Sequence, residues 1–323
     1  MTLKNNKKTN CIIRADGGFK IGHGHLKRCF ALCELLRDYY NIYFFSKNIP
    51  KYIKNDFNKI CTKVISLPKM SQKRECEYIF TKLEDFKLII IDGYNFNYNY
   101  EKFFYKRNKK VITIDDVFDR NYCSHAIINH APLVSKNNYK NLTSSKLYLG
   151  LEYKIIQKCF YQDKIVDRSI LKNNIFVCLG SGTANYSLKV KLVRLLLKIT
   201  NIDKIYFVTS RKNIFLREFK SNKNYKKLKI FENIGSNDIA KLVKKSRFGI
   251  CTASNISLEC YTANLPLLLT YSADNHLNVY KGLIRSKVAI GIGNLKELNA
   301  EKFKISLNKI QKKDFIKKFI SIS

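Results

Sequence analysis

The sequence predicts an α/β protein of two doubly wound domains, each built on a mostly parallel sheet and facing a cleft. Three observations carry that expectation. Short β-branched or aromatic runs alternate with helical patterns along the chain, as strand–helix–strand units require. The alternation restarts after a mixed segment at residues 158–174. The length of 323 residues, 46% of them hydrophobic, allows a substantial core and favours two domains over one.

Taken in order, the strand runs of the first half are residues 11–15, 42–45, 88–91, 111–114 and 126–128. They define an amino-terminal domain over residues 1–157. The second series runs through residues 175–179, 205–208, 248–251 and 267–269, and residues 298–320 have apolar positions suited to one or two terminal helices. These define a carboxyl-terminal domain over residues 158–323. Neither half has a fixed-period repeat or a low-complexity linker.

The net charge of +35 comes from 60 Lys and Arg against 25 Asp and Glu. Such a balance fits nucleic acid, an anionic membrane or phosphorylated small molecules. The lysines are scattered among Asn, Ile and Tyr, with no basic tail or single basic helix, so the charge reads as a solvated surface and argues against the first two. Ten cysteines show no CxxC pair, and Cys11, Cys29, Cys33, Cys178 and Cys251 fall in apolar runs or on helix faces. They read as buried thiols of a reducing cytoplasm. Residues 1–10 are polar and no stretch approaches a membrane span of about 20 apolar residues, so a cytoplasmic location is expected.

Doubly wound sheets place ligands beyond the carboxyl ends of their strands, which directs attention to the strand-to-helix turns. The strongest turn follows the first strand: Arg14-Ala-Asp16, Gly17, Gly18, then Gly22-His23-Gly24-His25 and Arg28. Leu26, Cys29, Phe30, Cys33 and Leu36 keep helical spacing, so His25 sits near a helix start. The glycines permit close ligand approach, and free amides at a helix start favour negative charge developing nearby. An imidazole there can take a proton from water near neutrality, with a carboxylate such as Asp16 to orient it or raise its basicity. His23 and His25 could suggest a metal, but no acidic cluster completes a shell, and His125, His130 and His276 are distant in sequence; no metal or cofactor is expected.

Two further turns end strands with polar groups. Asp92-Gly93-Tyr94 offers a carboxylate and a phenol for sugar hydroxyl or acetamido groups, while Asp115-Asp116 is as well suited to capping the next segment as to catalysis. In the second half, Gly180-Ser181-Gly182 has the small residues a phosphate-cradling loop needs. Ser254 and Asn255 open a helix after a strand, where a hydroxyl and adjacent amides can hold a diphosphate. Glu259 lies just over one turn on and can accept from a ribose diol.

Together these residues resemble the UDP-2,4-diacetamido-2,4,6-trideoxy-β-L-altropyranose hydrolases of pseudaminic acid biosynthesis, relatives of the GT-B glycosyltransferases. The resemblance spans roughly residues 11–292. It rests on Arg14-Ala-Asp16 followed by Ile21-Gly22-x-Gly24-His25 and Arg28, then Asp92-x-Tyr94, Asp115-Asp116, and Tyr148-Leu149-Gly150 with Tyr153. It implies two Rossmann-like domains, the first gripping the sugar and the second UDP. It also implies His25 as the base that activates water, with Asp16 and Tyr94 beside it, and Arg14, Gly22, Gly24, Arg28 and Asp92 at the substrate. Gly180, Ser181, Gly182, Ser254, Asn255, Glu259 and Asn275 fall around the nucleotide. The reaction implied is metal-independent and inverting, releasing free sugar and UDP from a protein expected to be a monomer. A GT-B glycosyltransferase, using the same base on an acceptor hydroxyl, is the nearest alternative. A nucleic-acid-binding protein exploiting the +35 charge is a third.

Overall fold

The apolar runs become strands because both faces of a parallel sheet are covered by helices, so its interior strands must be apolar on both sides. The computed structural model describes residues 8–18, 24–161, 167–180, 186–210, 212–272, 276–312 and 314–316. The chain divides into two units, Met1–Ile155 and Ile156–Ser323.

The first unit runs β1 (Thr9–Ala15), α1 (Gly24–Leu36), β2 (Tyr40–Ser46), α2 (Lys51–Asn58), β3 (Lys63–Ser66), α3 (Gln72–Lys82), β4 (Leu88–Asp92), α4 (Tyr98–Tyr105), β5 (Lys110–Ile114), β6 (Ala126–Asn129) and β7 (Lys146–Leu149). Its seven strands lie in the order β3-β2-β1-β4-β5-β6-β7, every pair parallel. Alternation along each strand splits the core in two. Cys11, Ile13, Leu88 and Ile90 pack with Leu26, Cys29 and Cys33 of α1. Ile12, Ile89 and Ile91 pack with Cys76 and Ile79 of α3 and Tyr100 and Phe104 of α4. Phe30 and Leu36, expected on the apolar face of α1, are partly buried against the first of these clusters. Ser71 and Asn97 cap α3 and α4, each accepting from a backbone N–H of the first turn.

The second unit runs β8 (Asn174–Cys178), α5 (Tyr186–Leu197), β9 (Lys204–Thr209), α6 (Lys212–Phe219), β10 (Leu228–Glu232), α7 (Ser236–Lys244), β11 (Phe248–Thr252), α8 (Asn255–Thr262), β12 (Leu267–Tyr271), α9 (Leu277–Arg285), β13 (Ala289–Asn294) and α10 (Ala300–Ile310). Six parallel strands lie in the order β10-β9-β8-β11-β12-β13. One face is filled by Leu192, Val193, Leu196, Phe215, Phe219, Phe303 and Leu307 against Ile175, Val177, Ile205 and Phe207. Both units are thus doubly wound parallel sheets, as expected.

Of the five cysteines read as buried, Cys11, Cys29, Cys33 and Cys251 are buried and Cys178 is half-buried. Among the described residues no helix is long and apolar enough to cross a membrane.

Candidate active site

In the first sheet the strand order reverses between β1 and β4: the chain steps from β1 outwards through β2 and β3, then returns to the other side of β1. α1, which follows β1, packs on one face, and α4, which follows β4, packs on the other. Diverging helices leave the carboxyl ends of β1 and β4 accessible, the usual ligand position in such sheets.

Side-chain alternation then decides which groups meet there. Asp92 ends β4 on the face of Leu88 and Ile90, the face covered by α1. His25 and Arg28, three residues apart on the first turns of α1, lie on one side of that helix and both reach Asp92. His25 Nδ1 is 2.7 Å from Asp92 Oδ1. Arg28 donates to Asp92 from Nε to Oδ2 at 2.8 Å and from Nη2 to Oδ1 at 2.6 Å, a bidentate pair. Arg28 also donates to Asp116, from Nη1 to Oδ1 at 2.7 Å and from Nη2 to Oδ2 at 3.0 Å. Arg28 Nη2 and His25 Nδ1 are 3.2 Å apart; both direct a hydrogen at Asp92 Oδ1, so they share an acceptor and are not bonded to each other.

Asp92 is fully buried and Arg28 is 3% exposed. Burial alone would neutralise them, but the opposed charges outweigh it. Asp92 falls below the usual carboxylate range through Arg28 and His25, Asp116 falls through Arg28, and Arg28 rises above its ordinary value through Asp116 and Asp92. An ionised Asp92 accepting at Oδ1 holds the hydrogen of His25 on Nδ1, which leaves Nε2 as the basic nitrogen. None of the described residues bonds to Nε2, and the side chain keeps 7% of its surface open.

Asp16, expected to orient His25, does something else. Its carboxylate pairs with Arg14 at 2.7 Å and accepts from the Lys47 backbone N–H at 2.7 Å and from the Ser46 hydroxyl. The carboxylate on His25 is Asp92, which was expected to bind sugar. Arg14, expected at the substrate, is 1% exposed. It alternates onto the α3 side of β1, donates to Glu75 Oε1 at 2.6 Å and lies 4.9 Å over the Phe96 ring. Tyr100 OH also donates to Glu75, and Lys47 Nζ is 2.5 Å from it. Arg28 is likewise held by carboxylates within the protein.

Tyr94 is 47% exposed. Its ring meets the His25 ring edge-on at 4.7 Å between centroids, and its hydroxyl donates to Asp116 Oδ2 at 3.3 Å. Gly93 makes this possible with φ +151°, a conformation few side chains allow, and a Cβ there would come within 3.0 Å of Phe96. The Asp115-Asp116 pair divides its labour. Asp115 accepts from the N–H groups of Val117 and Phe118 and from Tyr139 OH at 2.6 Å, so it fixes the turn. Asp116, for which capping and catalysis were both open, belongs to the charge cluster. Gly24 opens α1, while Gly22 lies outside the described residues.

Sequence reasoning also passed over His130, which directly follows β6. It is 4% exposed and close enough to Arg28, Asp116 and Asp92 to feel their charges. The rule that selected the other turns, inspection of the residues just past a strand, would have found it.

In the second sheet the order reverses between β8 and β11. Gly180, just past β8, has φ +80°. A Cβ on it would lie 3.9 Å from Thr252 Oγ1 at the end of β11. Ser254 precedes α8 in extended conformation, its hydroxyl 3.4 Å from that of Thr252 and its carbonyl accepting from Ser257 N and Oγ. The hydroxyl does not cap its own helix. Asn255 opens α8, and Glu259, expected to meet a ribose, is only 3% exposed. Ser181, Gly182 and Asn275 lie outside the described residues.

Two buried cations brace the sheet at its opposite edges. Lys189 of α5 donates to the Gly180 carbonyl at 3.0 Å. Arg168 donates to the backbone carbonyls of Val243, Ser246, Ala263 and Asn264, binding together the carboxyl ends of α7 and α8.

No protein-family model matches the chain. It is 25% identical, over 287 residues covering 81% of its length and 95% of the relative's, to the UDP-2,4-diacetamido-2,4,6-trideoxy-beta-L-altropyranose hydrolase of Campylobacter jejuni. Among solved structures, a UDP-glucosyltransferase from Polygonum tinctorium superposes with a TM-score of 0.70 at 10% identity, covering 98% of this chain and 93% of that one. MurG of Acinetobacter baumannii gives 0.66 at 11% identity, covering 97% and 94%. At such identities these two speak for the fold alone. The resemblance read from the sequence is met by both comparisons: the chain has the GT-B fold and a homologue in the UDP-diacetamido-trideoxy-altropyranose hydrolase.

Proposed function

We propose that this protein hydrolyses a UDP-linked diacetamido-trideoxy sugar, the UDP-2,4-diacetamido-2,4,6-trideoxy-β-L-altropyranose of its homologue or a near relative, to free sugar and UDP. The observation that carries the reading is the 2.7 Å contact of His25 Nδ1 with the buried Asp92 carboxylate. It fixes the tautomer in which Nε2 is free to accept a proton.

In the step proposed, the water oxygen bonds to the anomeric carbon as His25 Nε2 takes one of its protons. The bond from that carbon to the diphosphate oxygen breaks, and UDP leaves with the electron pair. Attack opposite the leaving group inverts the anomeric centre. Asp92 faces the imidazolium as it forms. A diphosphate is a good leaving group, so no strong general acid is required, and no metal or cofactor enters the scheme. The amino-terminal unit supplies the base and, through Tyr94 and Gly24, contacts to the sugar. The carboxyl-terminal unit holds UDP through the Gly180 turn and through Ser254 and Asn255 at the start of α8. Buried Glu259 serves the nucleotide by fixing α8 or by reaching the ribose.

The test is incubation of the pure protein with several UDP-diacetamido sugars, following UDP release and the anomer of the sugar by NMR. Turnover in water alone, lost by about 10²–10⁴-fold in His25→Gln with UDP binding kept, is expected. Undiminished turnover in that variant would overturn the mechanism. UDP release that depends on an added acceptor would make the protein a glycosyltransferase.

A further inference from the structure

His130 has no structural duty that accounts for an imidazole. It sits directly beyond β6, on the carboxyl edge of the sheet that also carries Asp92 and Asp116. The charged cluster is complete without it. Both Asp92 oxygens accept from Arg28, with His25 sharing Oδ1 and the Cys29 thiol sharing Oδ2, while Asp116 accepts from Arg28 and Tyr94.

His130 Nδ1 is enclosed with no hydrogen-bond partner among the described residues, an arrangement that costs free energy and that a leucine or phenylalanine would avoid. With Nδ1 enclosed and 4% of the residue exposed, Nε2 is the nitrogen left for a ligand. The groups facing the ring are Arg28, Asp116 and Asp92. Burial first, then Arg28, pulls its pKa down to about 4 against the two carboxylates. The ring is therefore neutral near pH 7, and a neutral imidazole can donate or accept.

We infer that His130 is a specificity-determining residue whose Nε2 hydrogen-bonds a polar substituent of the sugar, a hydroxyl or an acetamido group, beside the His25–Asp92 pair. The inference rests on the functional reading above and adds a second imidazole to the sugar site, one that recognises and takes no proton in the reaction. It assigns to recognition a buried imidazole whose Nε2 bonds to none of the described residues.

Three variants test it. A glutamine amide can occupy the place of Nε2, an asparagine amide that of Nδ1, and leucine fills the volume with neither. His130→Leu should lower kcat/KM for the UDP-sugar by about 10- to 100-fold, mainly through KM. Inhibition by UDP alone should not change, nor should the thermal midpoint fall, since no protein hydrogen bond is lost. His130→Gln should recover most of the loss and His130→Asn little of it.

An unchanged KM in His130→Leu, with the wild type active, overturns the inference alone. So does an equal weakening of UDP inhibition or a lowered melting point, which would mark the residue as structural. A wild type that neither turns over nor binds any UDP-sugar overturns the functional reading, and this inference with it.

Discussion

The two sheets reverse their strand order in the same way, between β1 and β4 in one and between β8 and β11 in the other, yet they dress the reversal with opposite chemistry. The first encloses a guanidinium between two carboxylates and hangs an imidazole on one of them. The second presents a left-handed glycine, small hydroxyls and the start of a helix, and turns the nearby Lys189 onto the Gly180 carbonyl. Topology thus supplies the location and side chains supply the use. A crowded charge cluster fixes one ring in one tautomer, as proton transfer requires, whereas small residues leave backbone amides open to an anion.

The sharpest way to break this contrast is Asp92→Asn. Without the carboxylate, His25 loses the partner that sets its tautomer, and kcat should fall on the order of 10⁴-fold, as when the carboxylate of a Ser-His-Asp triad is made an amide. UDP affinity, which the proposed function assigns to the other unit, should stay unchanged by calorimetry. Next comes Arg28→Met, which leaves Asp92 buried without its guanidinium and facing the half-buried Asp116. Urea denaturation should show a loss of about 3–5 kcal/mol, whereas Lys204→Met, at an exposed strand start in the second unit, should change little.

Acid should separate the two units as well. Asp92, Asp116, Asp16 and Glu75 all lie below their ordinary values when folded. Their stabilisation is full above an unfolded pKa of about 4 and is lost as pH falls through the lower folded values. His130, lowered from 6.5 to about 4, must also be neutral in the fold. Its contribution is full above 6.5 and about 3 kcal/mol is lost as pH falls to 4. In the second unit His276 is lowered by burial alone. The carboxylates keep nearly all of their stabilisation at pH 4.5, so hydrogen exchange between pH 7 and pH 4.5 reads His130: β4 and β5 should lose protection before β8 and β11, and His130→Leu should close most of the gap. The smallest effect expected is that of Ser254→Ala, which removes one hydroxyl from the proposed diphosphate site. UDP affinity should weaken by about 1 kcal/mol, several-fold, with kcat little altered; no change in affinity would remove Ser254 from that site.

The strands that could be read from the sequence were the interior ones. β1, β2, β4, β5 and β6 in one sheet, and β8, β9, β11 and β12 in the other, are runs of Ile, Leu, Val and Phe. The four strands passed over, β3, β7, β10 and β13, are the four sheet edges. An edge strand is covered less completely, so sequences such as Lys63–Ser66 and Leu228–Glu232 mix charge with apolar residues and carry a weak signal.

The candidate site divides along a similar line. His25 was legible because a glycine-rich turn and a helical apolar face surround it in sequence. Its partner was not, because Asp92 is 67 residues away while Asp16 is nine positions off and equally acidic. Only the pairing of β1 with β4 and the alternation of side chains along each strand send Asp92 towards α1 and Arg14 away from it.

By itself, then, the sequence determined the class of fold, the turns in which polar groups gather and the placing of His25 at a helix start, since hydrophobic periodicity and glycine placement are local properties. Tertiary structure alone decided which carboxylate holds His25, that Arg14 and Arg28 are bound within the protein, and that His130 joins the cluster. Those outcomes depend on strand order and on the face to which each side chain alternates, and both come from pairing between segments far apart in the chain.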